Sequence, residues 1–119
     1  MNVTTTWRGK VLVVSLTGEL DTIEQDGLSS ALEQVVSANA AAVILDCAGV
    51  RYIASLGLSI LVKLAKDLRQ RRVPLRMAAV TPPIRTILDT VQLGALIPID
   101  PTIEDALGNL VPAPQPAAV

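Results

Sequence analysis

The spacing of apolar positions changes several times along this chain. Val3 to Trp7 alternates β-branched and polar residues, and Val11 to Leu16 is apolar but for one serine. Arg8-Gly9-Lys10 between them predicts a hairpin turn. After Asp21, the positions Ile23, Leu28, Leu32, Val35 and Val36 mark one face of a helix ending near Asn39. Ala42 to Asp46 is short, apolar and β-branched, as in a central parallel strand. From Leu58, the positions Leu58, Leu61, Val62, Ala65 and Leu68 predict an amphipathic helix of about four turns.

Arg69, Arg71 and Arg72 finish that helix, where cations complement the carboxyl end of its dipole. Val73 to Val80 predicts a strand, with Pro74 at its start, where proline is tolerated. Thr81-Pro82-Pro83 opens a third helix, with Thr81 as the cap. It runs through Ile84, Ile87, Leu88 and Val91, and Gly94 is the expected stop. Ile97 to Asp100 predicts a last short strand, and Thr102 to Asp105 resembles a capping box opening a helix to about Leu110. The order is β-β-α-β-α-β-α-β-α. A hairpin followed by strand-helix units implies an α/β fold: a mixed, mostly parallel sheet, right-handed crossovers and four helices. Residues 1–110 are expected to form one domain, and the Pro- and Ala-rich 111–119 a disordered tail.

Composition narrows the chemistry. With 119 residues there is room for one core. Half of the residues are apolar, yet no run approaches the roughly 20 needed to span a bilayer. The N-terminus lacks the basic-then-apolar pattern of a secretory signal. A net charge of −1 calls for neither nucleic acid nor anionic membrane. Histidine is absent, which removes His-based triads and the usual zinc sites. Trp7 and Tyr52 are the only aromatics, so a base-stacking platform is not expected. The single Cys47 cannot form an internal disulfide and fits a reducing, cytoplasmic setting; next to a buried-type strand, it reads as a structural thiol. No Gly-rich phosphate loop and no metal-ligand spacing occur. No catalytic residue, cofactor or metal is therefore expected.

Two short segments carry the remaining chemistry. Gly18-Glu19-Leu20-Asp21 closes one apolar run, and Tyr52-Ile53-Ala54-Ser55-Leu56-Gly57-Leu58 leads into the second helix. Each sets one small polar group at a strand-to-helix corner, and in open α/β sheets such corners gather at the carboxyl ends of the strands. Ser55 at a helix start is a natural N-cap, and an exposed capping hydroxyl is also available for modification. Asp21 is either the cap of the first helix, in competition with Thr22, or a carboxylate facing Ser55. Gly57 serves either tight packing or the close approach of a partner. Of Leu56 and Leu58, Leu56 is the better candidate for an exposed apolar contact.

These two motifs, in this order within this fold, resemble the STAS domain, specifically the single-domain anti-sigma factor antagonists of bacteria. Their first signature, Gly-Glu-Leu-Asp or Gly-Glu-Ile-Asp, is intact at Gly18 to Asp21. Their second, Asp-Ser-Ser-Gly or Asp-Ser-Thr-Gly after an aromatic-aliphatic pair, is matched by Tyr52-Ile53, Ser55 and Gly57. Gln92-Leu93-Gly94 loosely resembles a third stretch of the family. Ala54 departs from the usual Asp, and Leu56 from a second hydroxyl. The resemblance implies a phosphorylation site at Ser55 and a partner-binding surface at Asp21, Thr22, Ala54, Leu56, Gly57 and Leu58. It implies a partner, an anti-sigma factor that is often an ATP-dependent serine kinase, and a phosphatase that reverses the modification. The unphosphorylated protein would bind the anti-sigma factor and free its sigma factor; it would itself have no catalytic role.

A different class of function competes: a STAS-like accessory or scaffold, such as a subunit of a lipid-transport ATPase. Ala54 favours it; the retained Ser55 and Gly57 oppose it. The arginines Arg69, Arg71, Arg72, Arg76 and Arg85 read as a solvated helix end and its surroundings rather than an anion site.

Overall fold

In a computed structural model the chain is described over residues 2–20 and 25–110. The expected element order holds: β1 (Asn2–Arg8), β2 (Val11–Leu20), α1 (Gln25–Ser37), β3 (Ala42–Ile53), α2 (Ser55–Gln70), β4 (Leu75–Ala78), α3 (Pro82–Thr90), β5 (Ile99–Asp100) and α4 (Ile103–Leu110), with a short 3₁₀ turn at Leu93–Ala95. The five strands lie in one sheet in sequence order. Only the β1–β2 hairpin is antiparallel; the other pairings are parallel. Expectations for Asp21, Thr22 and Ile23 and for the tail 111–119 lie outside the described residues.

Helices cover both faces of the sheet. Alternate strand residues such as Leu12, Val14, Val43, Leu45 and Met77 point to one side. There they meet Leu32 and Val35 of α1, Leu61, Leu64 and Leu68 of α2, and Ile84 and Leu88 of α3. Val13, Ile44 and Ala78 face the other side and pack on Ala106 of α4. The central strands are thus buried on both faces, which is why they read as solid apolar runs rather than as alternation.

Both β2 and β3 outrun their apolar runs. β2 continues through Thr17, Gly18 and Glu19, and β3 through Ala48 to Ile53, where exposed and buried residues mix. The register shows why the pattern was hidden. Ser15 faces Asp46 but Thr17 faces Gly49, and Gly18 faces Val50 but Glu19 faces Tyr52. β3 therefore carries two extra residues, two bulges. Gly49 sits at the first; a Cβ there would lie 3.1 Å from the Thr17 side chain and 3.3 Å from the Leu16 carbonyl oxygen. Gly18 sits at the second with φ 108°, a backbone region that side-chain-bearing residues rarely adopt. The glycine of the Gly-Glu-Leu-Asp segment is thereby explained by backbone geometry.

Helix ends depart from expectation in instructive ways. α3 stops at Thr90, before Gly94, because Gln92 takes the left-handed conformation at φ 59° and its amide bonds back to Asp89. α2 ends likewise: Arg72 is at φ 60°, its amide donates to the Arg69 carbonyl, and the Val73 amide donates to Leu68. These are the two bonds of a Schellman motif, with arginine where glycine is usual. Thr81 does precede α3, but its carbonyl, not its hydroxyl, receives a helix amide, that of Arg85. At α4 the cap is as expected: the Asp105 amide donates to Thr102 Oγ1 at 3.0 Å. β4 and β5 are shorter than predicted, at four and two residues.

Candidate functional site

Parallel pairing brings the two corner segments to one end of the sheet. Leu20, the last residue of β2, is registered against Ile53, the last of β3. Gly18 to Leu20 thus run beside Val50 to Ile53 at the carboxyl ends of the strands, where open α/β sheets build their sites. β3 then turns into α2 within a single residue, Ala54.

That residue corrects one expectation. Ala54 is the extended N-cap, with φ −90° and ψ 170°; its carbonyl accepts from the Leu58 amide at 3.0 Å, and no side chain closes the cap. Ser55 is the first helical residue rather than the cap. Its side chain is exposed, and among the described residues its hydroxyl has no hydrogen-bond partner. The neighbouring hydroxyl is engaged: Ser59 Oγ donates to the Ser55 carbonyl at 3.2 Å. No acidic residue lies in the first turn of α2. The unpaired amides of that turn and the helix dipole favour negative charge there.

Around Ser55 the surface is apolar and aromatic. Leu56 is 39% exposed and Tyr52 is 49% exposed, both large for apolar side chains on a small domain. Leu58 is half-buried and packs on the core, and Gly57 is buried on the inner side of the helix. Ala54 is half-buried. Of the expected partner-binding residues, the structure therefore presents Leu56 outward and turns Gly57 and Leu58 toward the sheet. Tyr52 was recognised as part of the motif but not as a contact residue; its place one step before an inward-facing strand-end residue, Ile53, was the available signal. Glu19, its strand neighbour, is also exposed.

The other candidate chemistry is structural. Cys47 is buried, its thiol 3.7 Å from the Leu45 carbonyl, and burial with the adjacent Asp46 charge pushes its pKa up to about 12. Such a thiol is inert as a nucleophile. Arg76 belongs to no solvated group: it is paired with Asp100, which is 5% exposed. Arg85 bonds Asp89 along α3, while Arg69, Arg71 and Arg72 are exposed at the end of α2. Among the described residues, no cluster of His, Cys, Asp or Glu could hold a metal, and no helix is long and apolar enough to cross a membrane.

A five-stranded sheet with this topology and a serine-led helix at the carboxyl ends of its strands defines a small α/β domain. The family model of the STAS domain matches residues 2–106, and the chain belongs to that family. Among solved structures, an anti-sigma factor antagonist from Mycobacterium paratuberculosis is 27% identical, with TM-score 0.83 over 91% of this chain and 92% of that one. The phosphorylated form of the Bacillus cell fate determinant SpoIIAA shares the fold at 15% identity and TM-score 0.69, over 91% of this chain and 98% of that one. So does a sulfate transporter family protein from Wolinella succinogenes, at 17% identity and TM-score 0.73 over 84% of each chain. No curated protein matches the sequence.

Proposed function

We propose that this protein is an anti-sigma factor antagonist switched by phosphorylation of Ser55. In its unmodified state it binds an anti-sigma factor through the surface around Tyr52, Ser55 and Leu56, together with Asp21 and Thr22, and so releases a sigma factor. It acts in the cytoplasm and has no catalytic role; an anti-sigma factor of the ATP-dependent serine kinase type supplies the modification, and a phosphatase removes it. The observation that carries this reading is an exposed serine at the first position of a sixteen-residue helix, flanked by exposed Tyr52 and Leu56. A phosphate there adds about −1.5 to −2 charges, which the helix start accommodates, so the fold persists while an apolar docking surface becomes anionic. The likeness to an anti-sigma factor antagonist at 27% identity supports the same reading.

Phosphopeptide mapping after incubation with the cognate anti-sigma factor and ATP tests it. Modification at Ser55 is expected. Modification confined to Ser59 or Thr22, or none while the unmodified chain fails to bind any anti-sigma factor, overturns the assignment.

Ala54 in place of the usual Asp favours a second reading, a non-phosphorylated accessory or scaffold such as a subunit of a lipid-transport ATPase. Copurification with a transporter ATPase and no phosphorylation by any neighbouring kinase would replace the first reading with this one.

A further inference from the structure

The two edges of the sheet are protected very differently. β5 is two residues long and offers almost no template. β1 is seven residues long, and its register against β2 runs from Asn2–Thr17 to Arg8–Val11 without a bulge. Its outer edge has no strand partner among the described residues. Natural edges of this length are blunted by proline, lysine, bulges or inward charges. β1 has none of these: its single charge, Arg8, stands at the end and is bonded to Glu104 of α4.

The side chains of this edge are arranged symmetrically about Thr5. Val3, Thr5 and Trp7 lie on the α1 side, where they line a groove of about 300 Å³ with Leu12 and Val35, and Trp7 is 50% exposed. Asn2, Thr4, Thr6 and Arg8 alternate onto the other face. A second copy of β1, laid antiparallel with the two-fold axis through Thr5, sets Val3 against Trp7 of the other copy, Thr4 against Thr6 and Asn2 against Arg8. Aromatic–β-branched pairs and Thr–Thr pairs are the favourable cross-strand combinations. No like charges meet, and each half-exposed tryptophan gains an apolar neighbour over its own groove.

We propose that β1 is a self-complementary dimerisation edge, and that a second copy of this chain completes the sheet through antiparallel β1–β1 pairing centred on Thr5. The interface is isologous, as closed two-fold dimers require. It leaves the surface around Ser55 free, since that lies beyond β2 at the end of β3. Because the paired β1 strands run in opposite directions, so do the parallel strands of the two copies. The two Ser55 sites then point away from each other, and one dimer presents them to two separate partners.

Sedimentation equilibrium over a range of concentrations is the test. The mass of the full chain is expected to rise from 12.5 kDa toward twice that value. Thr5→Lys and Thr5→Glu each place like charges across the axis and should each stay monomeric, while an equimolar mixture of the two should recover the dimer. A chain that remains monomeric at every concentration, its edge left for another protein's strand, overturns the proposal. So does a dimer unaffected by Thr5→Lys, or a mixture that fails to associate. Should the charged variants unfold in thermal melts, cysteine cross-linking decides instead. Thr5→Cys should oxidise to a covalent dimer and Thr4→Cys should not, and absence of the Thr5→Cys cross-link counts against it.

Discussion

Arg76 and Asp100 grip each other through two bonds, Nε to Oδ2 and Nη2 to Oδ1, on the face of the sheet that α4 covers. Asn109 of α4 adds a third bond to the same carboxylate, 2.6 Å from its Oδ1. A carboxylate with its lone pairs filled in this way tolerates burial. The pair joins β4, β5 and α4, whose apolar contact is small: Ala106 fully buried, with Ile103, Leu107 and Leu110 only partly so.

The Arg76 bonds hold the Asp100 carboxyl below its ordinary value, with burial opposing and Asn109 assisting. A lowered folded-state pKa gives stability that is full above the unfolded carboxylate range and lost as pH falls through the folded value. Asp100→Asn should cost about 2 kcal/mol at neutral pH, less than a fully buried broken pair because Arg76 can reach water. The gap between parent and variant should narrow in acid. Urea titrations at neutral and acidic pH check both; a gap that does not change with pH would show that the ionised carboxylate contributes nothing.

Ala54→Asp is expected to stabilise the protein. Position 54 is the N-cap of α2 and has no capping side chain. An aspartate there can accept the amide of Leu56 or Gly57, and a capping side chain contributes about 1 kcal/mol over alanine. The expected result is an upward shift of the urea midpoint with an unchanged slope. The Asp usual at this position of the related motif thus gains a mechanical role, and its loss here need not abolish the serine's chemistry.

Ser55→Glu should leave the melting temperature at or slightly above that of the parent, since an acid in the first helical turn suits the dipole. Binding to an anti-sigma factor should fall at least tenfold, about 1.4 kcal/mol. Calorimetric titration beside thermal melts of the same variant separates the two effects. Binding that falls only in step with unfolding would remove the switch.

Arg72→Gly should stabilise the chain by about 0.5–1 kcal/mol. Holding a side-chain-bearing residue in the left-handed region costs about 1–2 kcal/mol, from which the extra backbone entropy of glycine subtracts. The two Schellman bonds at Arg69 and Leu68 remain available to it. A melting temperature raised by a few degrees is the expected reading; a lowered one would mean that the arginine makes interactions outweighing its strained backbone.

The order of elements was legible because short apolar runs bounded by turn residues give way to apolar positions spaced at 3.6, and the Thr102 cap because its bond is local. What escaped was non-local or offset by one residue. Arg76 looked like one more surface arginine because its acid lies far along the chain, in β5. Ser55 looked like a cap because serine is a good one, yet β3 reaches Ile53 and moves the cap to Ala54. Gly94 drew the eye as a stop, while Gln92 performed that task with no glycine. Of the candidate site, the serine and its exposed leucine were legible, and the outward turn of Tyr52 required the register.

The bulges of β3 have a consequence for how this end of the molecule can change in length. Beyond Cys47 the residues buried on the helix side of β3 are Val50 and Ile53, so the strand counts in threes where a regular strand counts in twos. Removing one residue from either bulge would turn that count of three into two and leave Val50 and Ile53 facing the helices, with Ser55 still on its surface. Removing one from each would restore plain alternation throughout, and because each bulge sets two residues of β3 against one of β2, Ile53 would stay opposite Leu20 and the serine would keep its place along the strand. Length variation here is therefore absorbed one residue at a time, at either bulge, so the place of the serine is set by the pairing of β3 with β2 and not by the number of residues that precede it.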